Sequence, residues 1–143
     1  MILTQILRNV ELFDGLTESE LNEVAAICDE KRFHRGDIIA KQGEPGDEFF
    51  IVTQGYVEVL LEEPRRAVVN LGPGQLIGEM AVVDQGPRSA TVQAVEESTV
   101  VQVIGRDKFD ALCLKNTRIG YVVIRNIAAD LSFKLRHRNL SDK

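Results

Sequence analysis

The segment Gly78–Val92 holds the side chains of this sequence that are best suited to chemistry. Glu79–Val83 is compatible with a short helix, although it interrupts a series of predicted strands. A glycine at the start of such a turn leaves backbone N–H groups free at an electropositive helix end. Arg88 lies nine positions after Glu79 and would add a planar, permanently charged fork that matches phosphate oxygens. The segment therefore predicts an anion-binding site.

Glu79 makes this prediction more specific. A carboxylate repels phosphate, but it accepts hydrogen bonds from sugar hydroxyl groups. A phosphate-binding arginine beside a hydroxyl-binding glutamate is the pattern expected for a nucleotide. Taken alone, each residue also has a structural interpretation: Arg88 as a surface arginine paired with Glu79, and Ser89 as a turn residue.

Helices and strands are predicted in three zones around this segment. Residues 1–32 are predicted to be helical, residues 33–104 to form short strands, and residues 107–138 to be helical again. In the first zone, Thr17 and Glu20 have the spacing of a capping box at the start of a helix.

The middle zone consists of short apolar segments separated by glycine-rich turns. Strands are predicted at 38–40, 49–53, 56–61, 67–71, 90–95 and 99–104. Pro45-Gly46 between the first two is typical of a type II turn, which needs a positive φ at the glycine. The pattern predicts a mainly β fold with flanking helices: an antiparallel β jelly-roll barrel with N-terminal helices and a long C-terminal helix.

The long C-terminal helix is predicted from about Thr117 to Arg138. Apolar residues recur along it in steps of four, three and four, at Ile124, Ala128, Leu131 and Leu135. This stripe has the a/d spacing of a coiled coil, which would make a homodimer through the helix. The same stripe would also serve for packing on the barrel.

Length and composition limit the class of protein. The chain has 143 residues, 44% of them hydrophobic and 27% charged, as expected for one globular domain over residues 1–143. No apolar stretch is long enough to span a bilayer, and charged residues interrupt the N-terminus before a signal-peptide core forms. Cys28 and Cys113 are too few for a disulfide framework. We expect a reduced, cytoplasmic protein with no membrane partner.

Charge and residue content also exclude functions. The formal net charge of −5 argues against a nucleic-acid partner for the chain as a whole. Residues 125–143 are locally basic, which we interpret as a solvated helix end. His34 and His137 lie far apart in the sequence, and no nucleophile–base pair or NTPase phosphate loop is present. We expect a binding protein rather than an enzyme, with no metal and no cofactor.

The pattern Gly-Glu-(apolar)-Ala…Pro-Arg-Ser-Ala-Thr-Val resembles the phosphate-binding cassette of cyclic nucleotide-binding domains, and we call residues 78–91 the cassette. Such domains occur in bacterial catabolite-activator-type regulators, in regulatory subunits of protein kinase A and in nucleotide-gated channels. Gly55 and Gly72-Pro73-Gly74 match further turns of the family, so the resemblance covers nearly the whole chain.

The resemblance implies a role for each cassette residue. Arg88 would pair with the cyclic phosphate, and Glu79 would accept a hydrogen bond from the ribose 2′-hydroxyl. The backbone amides of Ala81 and Ser89 would complete the phosphate cradle, and Gly78 would permit close approach to the ribose. The ligand-binding residues expected on this basis are Gly78, Glu79, Met80, Ala81, Arg88, Ser89 and Ala90.

The base pocket and the lid are expected outside the cassette. Val69, Leu71 and Ile77 are candidates for the pocket wall, where Ile77 replaces an aromatic residue common in the family. On the last helix, the family places a residue that caps the base. Its candidates here are Leu131, Lys134 and Leu135.

The resemblance implies a sensor that prefers cAMP and closes its C-terminal helix over the ligand. The alternatives are a cGMP-binding module and a ligand-free protein-interaction domain with the same fold. The partner would be an effector protein, or an effector domain that this chain lacks. The chain would then be either a stand-alone module, which the helix starting near Met1 favours, or a fragment.

Overall fold

The structure is a computed structural model that describes residues 2–83 and 86–141. Its helices are, in chain order, α1 Ile2–Arg8, α2 Glu18–Ala26, α3 Arg106–Lys115 and α4 Thr117–Ser141, with 3₁₀ turns at Glu11–Phe13 and Glu79–Val82. Its strands are, in chain order, β1 Asp29–Phe33, β2 Ile38–Ala40, β3 Glu48–Gln54, β4 Val57–Glu62, β5 Arg65–Leu71, β6 Leu76–Ile77, β7 Thr91–Ala94 and β8 Thr99–Gly105.

The strands form two antiparallel four-stranded sheets, in the orders β1-β8-β3-β6 and β2-β7-β4-β5. The prediction of a mainly β fold with flanking helices is confirmed. The predicted barrel is not closed, because each sheet ends in edge strands that pair on one side only. The short β6 and the exposed β5 are two of these edges.

Strand β3 separates two hydrophobic cores. Phe50 and Val52 face the core between the sheets, whereas Phe49 and Ile51 face the core between the first sheet and the helices. A strand that is buried on both faces has a continuous apolar sequence, as Phe-Phe-Ile-Val shows. A side chain that packs on β3 therefore contacts a strand that belongs to both hydrophobic cores.

The first predicted boundary is wrong, because the helical zone does not extend to residue 32. Helix α2 ends at Ala26, and β1 begins at Asp29 and pairs with β8 from Asp29↔Val103 to Phe33↔Thr99. The first four residues of this edge strand are charged and exposed, so no alternation of apolar residues indicates a strand. The other two boundaries differ by only a few residues from those of the structure.

Helix α4 presents two different apolar faces. Ile119, Val123 and Ile127 are buried in the helical core. The predicted a/d stripe lies on another face and is exposed at each of its positions, Ile124, Ala128, Leu131 and Leu135. The interpretation in which this stripe packs on the barrel is therefore wrong.

Side-chain hydrogen bonds fasten the N-terminal segment to α4. Arg118 bonds the Glu20 carboxylate and donates to the Gly15 carbonyl at 3.1 Å. Asn126 donates to the carbonyls of Leu12 and Asp14, each at 2.9 Å. The first half of α4 is thus held in place by the turns that precede α2.

Glu20 combines this attachment with the predicted capping box, which is confirmed. The buried carboxylate accepts from the Thr17 backbone N–H at 2.9 Å, and the Thr17 hydroxyl accepts from the Glu20 N–H at 3.2 Å. The Thr17 backbone hydrogen bond lowers the pKa of Glu20; burial opposes this effect, and Arg118 adds to it. The folded state therefore favours the ionised carboxylate.

We expect Glu20→Gln to lower the free energy of unfolding by about 1 kcal/mol near neutral pH, because a charged hydrogen-bond acceptor is lost. The pKa of Glu20 is lower in the folded than in the unfolded chain. The stabilisation is therefore present above about pH 4.3 and is lost as the pH falls through the folded-state pKa. Urea unfolding of both proteins over this pH range measures the difference. The exposed Glu18→Gln in the same helical turn is the control, and a difference that is constant with pH would contradict the prediction.

Candidate functional site

The backbone around Arg88 is held by the loop between β2 and β3. The Arg88 N–H donates to the Glu44 carbonyl at 2.8 Å, and the Gly43 N–H donates to the Arg88 carbonyl at 2.9 Å. Pro45 and Pro87 form an isolated antiparallel bridge between the same segments. This loop therefore fixes the position at which the Arg88 side chain leaves the cassette.

The Arg88 side chain lies against the inter-sheet core. Its guanidinium carbon is 5.2 Å from the centroid of the Phe50 ring. A Cβ atom at Gly78 would lie 2.6 Å from Nη1 of Arg88, and one at Gly46 would lie 3.1 Å from Nε. A side chain at position 78 would displace the guanidinium, and one at position 46 would require it to shift by a few tenths of an ångström.

The type II turn with a positive φ at Gly46 was a wrong prediction. Gly46 is not among the glycines with positive φ, whereas Gly43 has a φ of 90°. The close approach of Arg88, and not a positive φ, favours glycine at position 46. Because Pro45 precedes Gly46, the sequence indicated a type II turn and did not indicate the contact with Arg88.

Burial and two nearby carboxylates act in opposite directions on the charge of Arg88. Burial lowers the pKa of the guanidinium, and the carboxylates of Glu48 and Asp47 oppose this effect. Among the described residues, no carboxylate forms an ion pair with Arg88. Arginine stays protonated in proteins, so the site holds a half-buried positive charge whose N–H donors are not paired with any carboxylate in residues 2–83 and 86–141.

The predicted short helix in the cassette is a 3₁₀ turn, Glu79–Val82. It follows Gly78, whose φ of 81° lies in the left-handed region. Ala81 is buried, Met80 is exposed, and the Ala81 N–H donates to the Gly78 carbonyl at 2.9 Å. The Ala81 amide that the resemblance assigns to the phosphate is thus already bonded within the turn.

Glu79 lies at the edge of a cleft of about 840 Å³ between the cassette, the Glu11–Phe13 turn and α4. Leu71 and Lys134 also line this cleft, whereas Arg88 contacts the cassette at Gly78 and does not line it. The arginine and the glutamate therefore face different parts of the same segment.

Lys134 brings a positive charge from α4 to this cleft. It pairs with Asp130 at 2.9 Å, and that hydrogen bond raises the pKa of Lys134. Burial lowers it, and the charges of Asp130, Glu79 and Glu11 raise it further. Lys134 thus stays protonated in an acidic cleft.

The other expected pocket and lid residues lie in different environments. Ile77 is buried between the sheets, and Leu71 packs against the same core. Val69 is 46% exposed on the edge strand β5. Leu131 and Leu135 are exposed on the a/d face of α4, so Lys134 is the lid candidate that lines the cleft.

Within the cassette, Ser89 is exposed, and Ala90, which precedes β7 in the chain, is half-buried. Two neighbours of the site escaped the sequence analysis, Phe50 and Gly46. Phe50 belongs to an unbroken apolar run, in which no pattern indicates the side chain that will meet an arginine. The glycine at position 46 was noticed in the sequence, but it was interpreted as a turn residue and not as a neighbour of Arg88.

The described part of the chain contains no arrangement of groups suited to thiol or metal chemistry. Burial raises the pKa of Cys28 to about 12 and that of Cys113 to about 11, so both thiols stay protonated. No cluster of histidine, cysteine and carboxylate ligands for a metal ion occurs in residues 2–83 and 86–141. No helix in these ranges is long and apolar enough to cross a membrane.

Two curated proteins illustrate what the chain is similar to. The cAMP-dependent protein kinase regulatory subunit of Emericella nidulans is 35% identical over 106 residues, which cover 74% of this chain and 26% of that protein. The cGMP-dependent protein kinase of Eimeria tenella is 37% identical over 123 residues, which cover 86% of this chain and 12% of that protein. The chain thus corresponds to a minor part of the length of each.

Solved structures show the same fold. The N-terminal domain of a transcriptional regulator from Streptomyces coelicolor superposes with a TM-score of 0.84 at 28% sequence identity. The superposition covers 90% of this chain and 94% of that domain.

The sequence model of the cyclic nucleotide-binding domain matches residues 30–116, a range that includes the whole cassette. This match confirms the resemblance inferred from the cassette residues. Because it covers more than half of the chain, the protein belongs to the cyclic nucleotide-binding domain family.

Proposed function

We propose that this domain is a sensor that binds cAMP at the cassette and transmits binding through α4. The observation that carries the proposal is the half-buried guanidinium of Arg88, which has no carboxylate partner among the described residues. A structural arginine in this position would be expected to have a counter-ion. The cyclic phosphate supplies that counter-ion.

The remaining cassette residues complete the proposed site. Glu79 accepts from the ribose 2′-hydroxyl, and Gly78 lets the ribose approach the backbone. The backbone N–H of the exposed Ser89 donates to the phosphate. The Ala81 N–H donates to the phosphate and to the Gly78 carbonyl at the same time. Met80 and Ala90 border the ligand. Because the chain is acidic, binding of an anion depends on the local field of Arg88.

The base would lie toward the cleft between the cassette and α4. Leu71 provides an apolar wall there, and Lys134 provides a charged group on the movable side. In this proposal Val69 and Ile77 extend the wall. Leu131 and Leu135 complete the lid only after α4 turns or shifts, because they are exposed in this structure.

Helix α4 would connect the sensor to a partner. Its exposed a/d stripe fits a second copy of the chain in a homodimer, and an effector protein or effector domain is the other partner that we propose. Domains of this family are regulatory rather than catalytic, and the activity of the whole protein would belong to that effector. The two free cysteines support a reduced, cytoplasmic setting.

The runner-up is a cGMP-binding module, since both a cAMP-dependent and a cGMP-dependent kinase are similar to this chain. A ligand-free interaction domain is the third candidate. Two features speak against the latter: the glycines that make room for Arg88, and the lack of a carboxylate ion pair with Arg88 in the described part of the chain.

We expect Arg88→Ala to weaken cAMP binding by about 30-fold to several thousand-fold, since truncating one partner of a buried charge pair costs about 2–5 kcal/mol. Isothermal titration calorimetry gives the Kd, and Arg66→Ala on the exposed strand β5 is the matched control. Thermal unfolding of the variant should resemble that of the wild type. Binding within threefold of wild type would overturn the proposed site.

The wild-type domain is expected to bind cAMP more tightly than cGMP. In the family, Ser89 occupies a position where bacterial cAMP regulators often have serine, whereas cGMP-selective kinases tend to have threonine. Competition of both nucleotides against a labelled cAMP measures the order of affinity. If cGMP displaces the label at the lower concentration, the runner-up is the correct function.

Cyclic AMP should slow hydrogen exchange in the distal part of α4, around Leu131 to Leu135. A ligand shifts a helix between positions only when it contacts the helix differently in each. Mass spectrometry of the exchanged protein locates the protection, and Arg88→Ala with cAMP is the control that should show none. Protection confined to the cassette would make the domain a passive binder.

A further inference from the structure

We propose that Phe50 positions the guanidinium of Arg88 for the phosphate through a cation–π contact, and this role rests on the proposed function. The guanidinium carbon lies 5.2 Å from the ring centroid, within the range of about 6 Å in which such contacts are attractive. The ring is 3% exposed and sits in the inter-sheet core, so its position is fixed.

The Phe50 ring lies against the guanidinium, whereas the carboxylates of Glu48 and Asp47 act on it through their charge without forming an ion pair. No ion pair with Arg88 occurs within residues 2–83 and 86–141. Gly46 and Gly78 provide space around Nε and Nη1 but no side chain that could hold them. A ring face binds the positive charge without occupying the N–H donors, which point along the guanidinium plane. The donors therefore stay available for phosphate oxygens.

A carboxylate in place of the ring would hold Arg88 more strongly, but it would compete with the phosphate for the same donors. The aromatic ring orients the guanidinium plane without this competition. Phe50 is therefore a positioning residue, which acts on the ligand through Arg88.

Phe49 provides a matched control in the same strand. It is also fully buried, but it faces the helical core and packs edge-on against Phe109 at 5.6 Å between ring centroids. A change that weakens the ring quadrupole without altering ring shape should affect ligand binding at position 50 and not at position 49.

The experiment replaces Phe50 or Phe49, one at a time, with 3,4,5-trifluorophenylalanine in the full chain and measures cAMP binding by calorimetry. We expect binding about 2- to 30-fold weaker for the substitution at position 50 and unchanged binding for that at position 49. Phe50→Leu, which removes the ring but keeps an apolar side chain, should lose affinity similarly. Equal effects at the two positions, or no effect at position 50, would overturn the role of Phe50 while the proposed function stands.

A second measurement tests the contact itself without ligand. The ring current of Phe50 should shift the NMR signal of the Arg88 Nε–H group upfield in the wild type, and this shift should disappear in Phe50→Leu. An unchanged Arg88 signal in Phe50→Leu would overturn the stacking. A wild-type chain that binds neither cAMP nor cGMP overturns the proposed function and, with it, the role of Phe50.

Discussion

One guanidinium at the border of an apolar core is the constraint on which the candidate site depends. A charge removed from water without a counter-ion is costly, so its surroundings have to compensate for the lost hydration. Here the Phe50 ring, the nearby carboxylates of Glu48 and Asp47, and the remaining exposure share this task. The guanidinium lies close to Gly46 and Gly78, where a Cβ atom would be 3.1 Å from Nε and 2.6 Å from Nη1.

The position of β3 explains why this constraint reaches the rest of the molecule. Phe50 holds Arg88 on one face of the strand, and Phe49 meets Phe109 of α3 on the other. The cassette turn is also tied to the helical core, because Val82 packs there. A displacement of Arg88 or the cassette therefore acts on packed groups that are shared with the helices. Packed cores transmit such changes because they contain few voids.

The two halves of helix α4 differ in how they are attached to the rest of the domain. Its first half is anchored by Arg118 and Asn126 and by the buried Ile119, Val123 and Ile127. Beyond Ile127, the described side chains through His137 are exposed, and Lys134 faces the cleft beside Glu79. The distal half therefore has fewer buried contacts with the domain than the first half. One apolar face of the helix packs on its own domain, and the other apolar face is exposed.

The sequence by itself determined the features that depend on local chemistry and on short spacings. The capping box at Thr17, most of the strands and the cassette between Glu79 and Arg88 belong to these, because each has a residue pattern of its own. Only the tertiary structure decided that β1 is a strand, since its charged residues become one by pairing with β8. It also decided which face of α4 is buried, and that Gly46 and Phe50 surround Arg88. These contacts join residues far apart in the chain, so no local pattern records them.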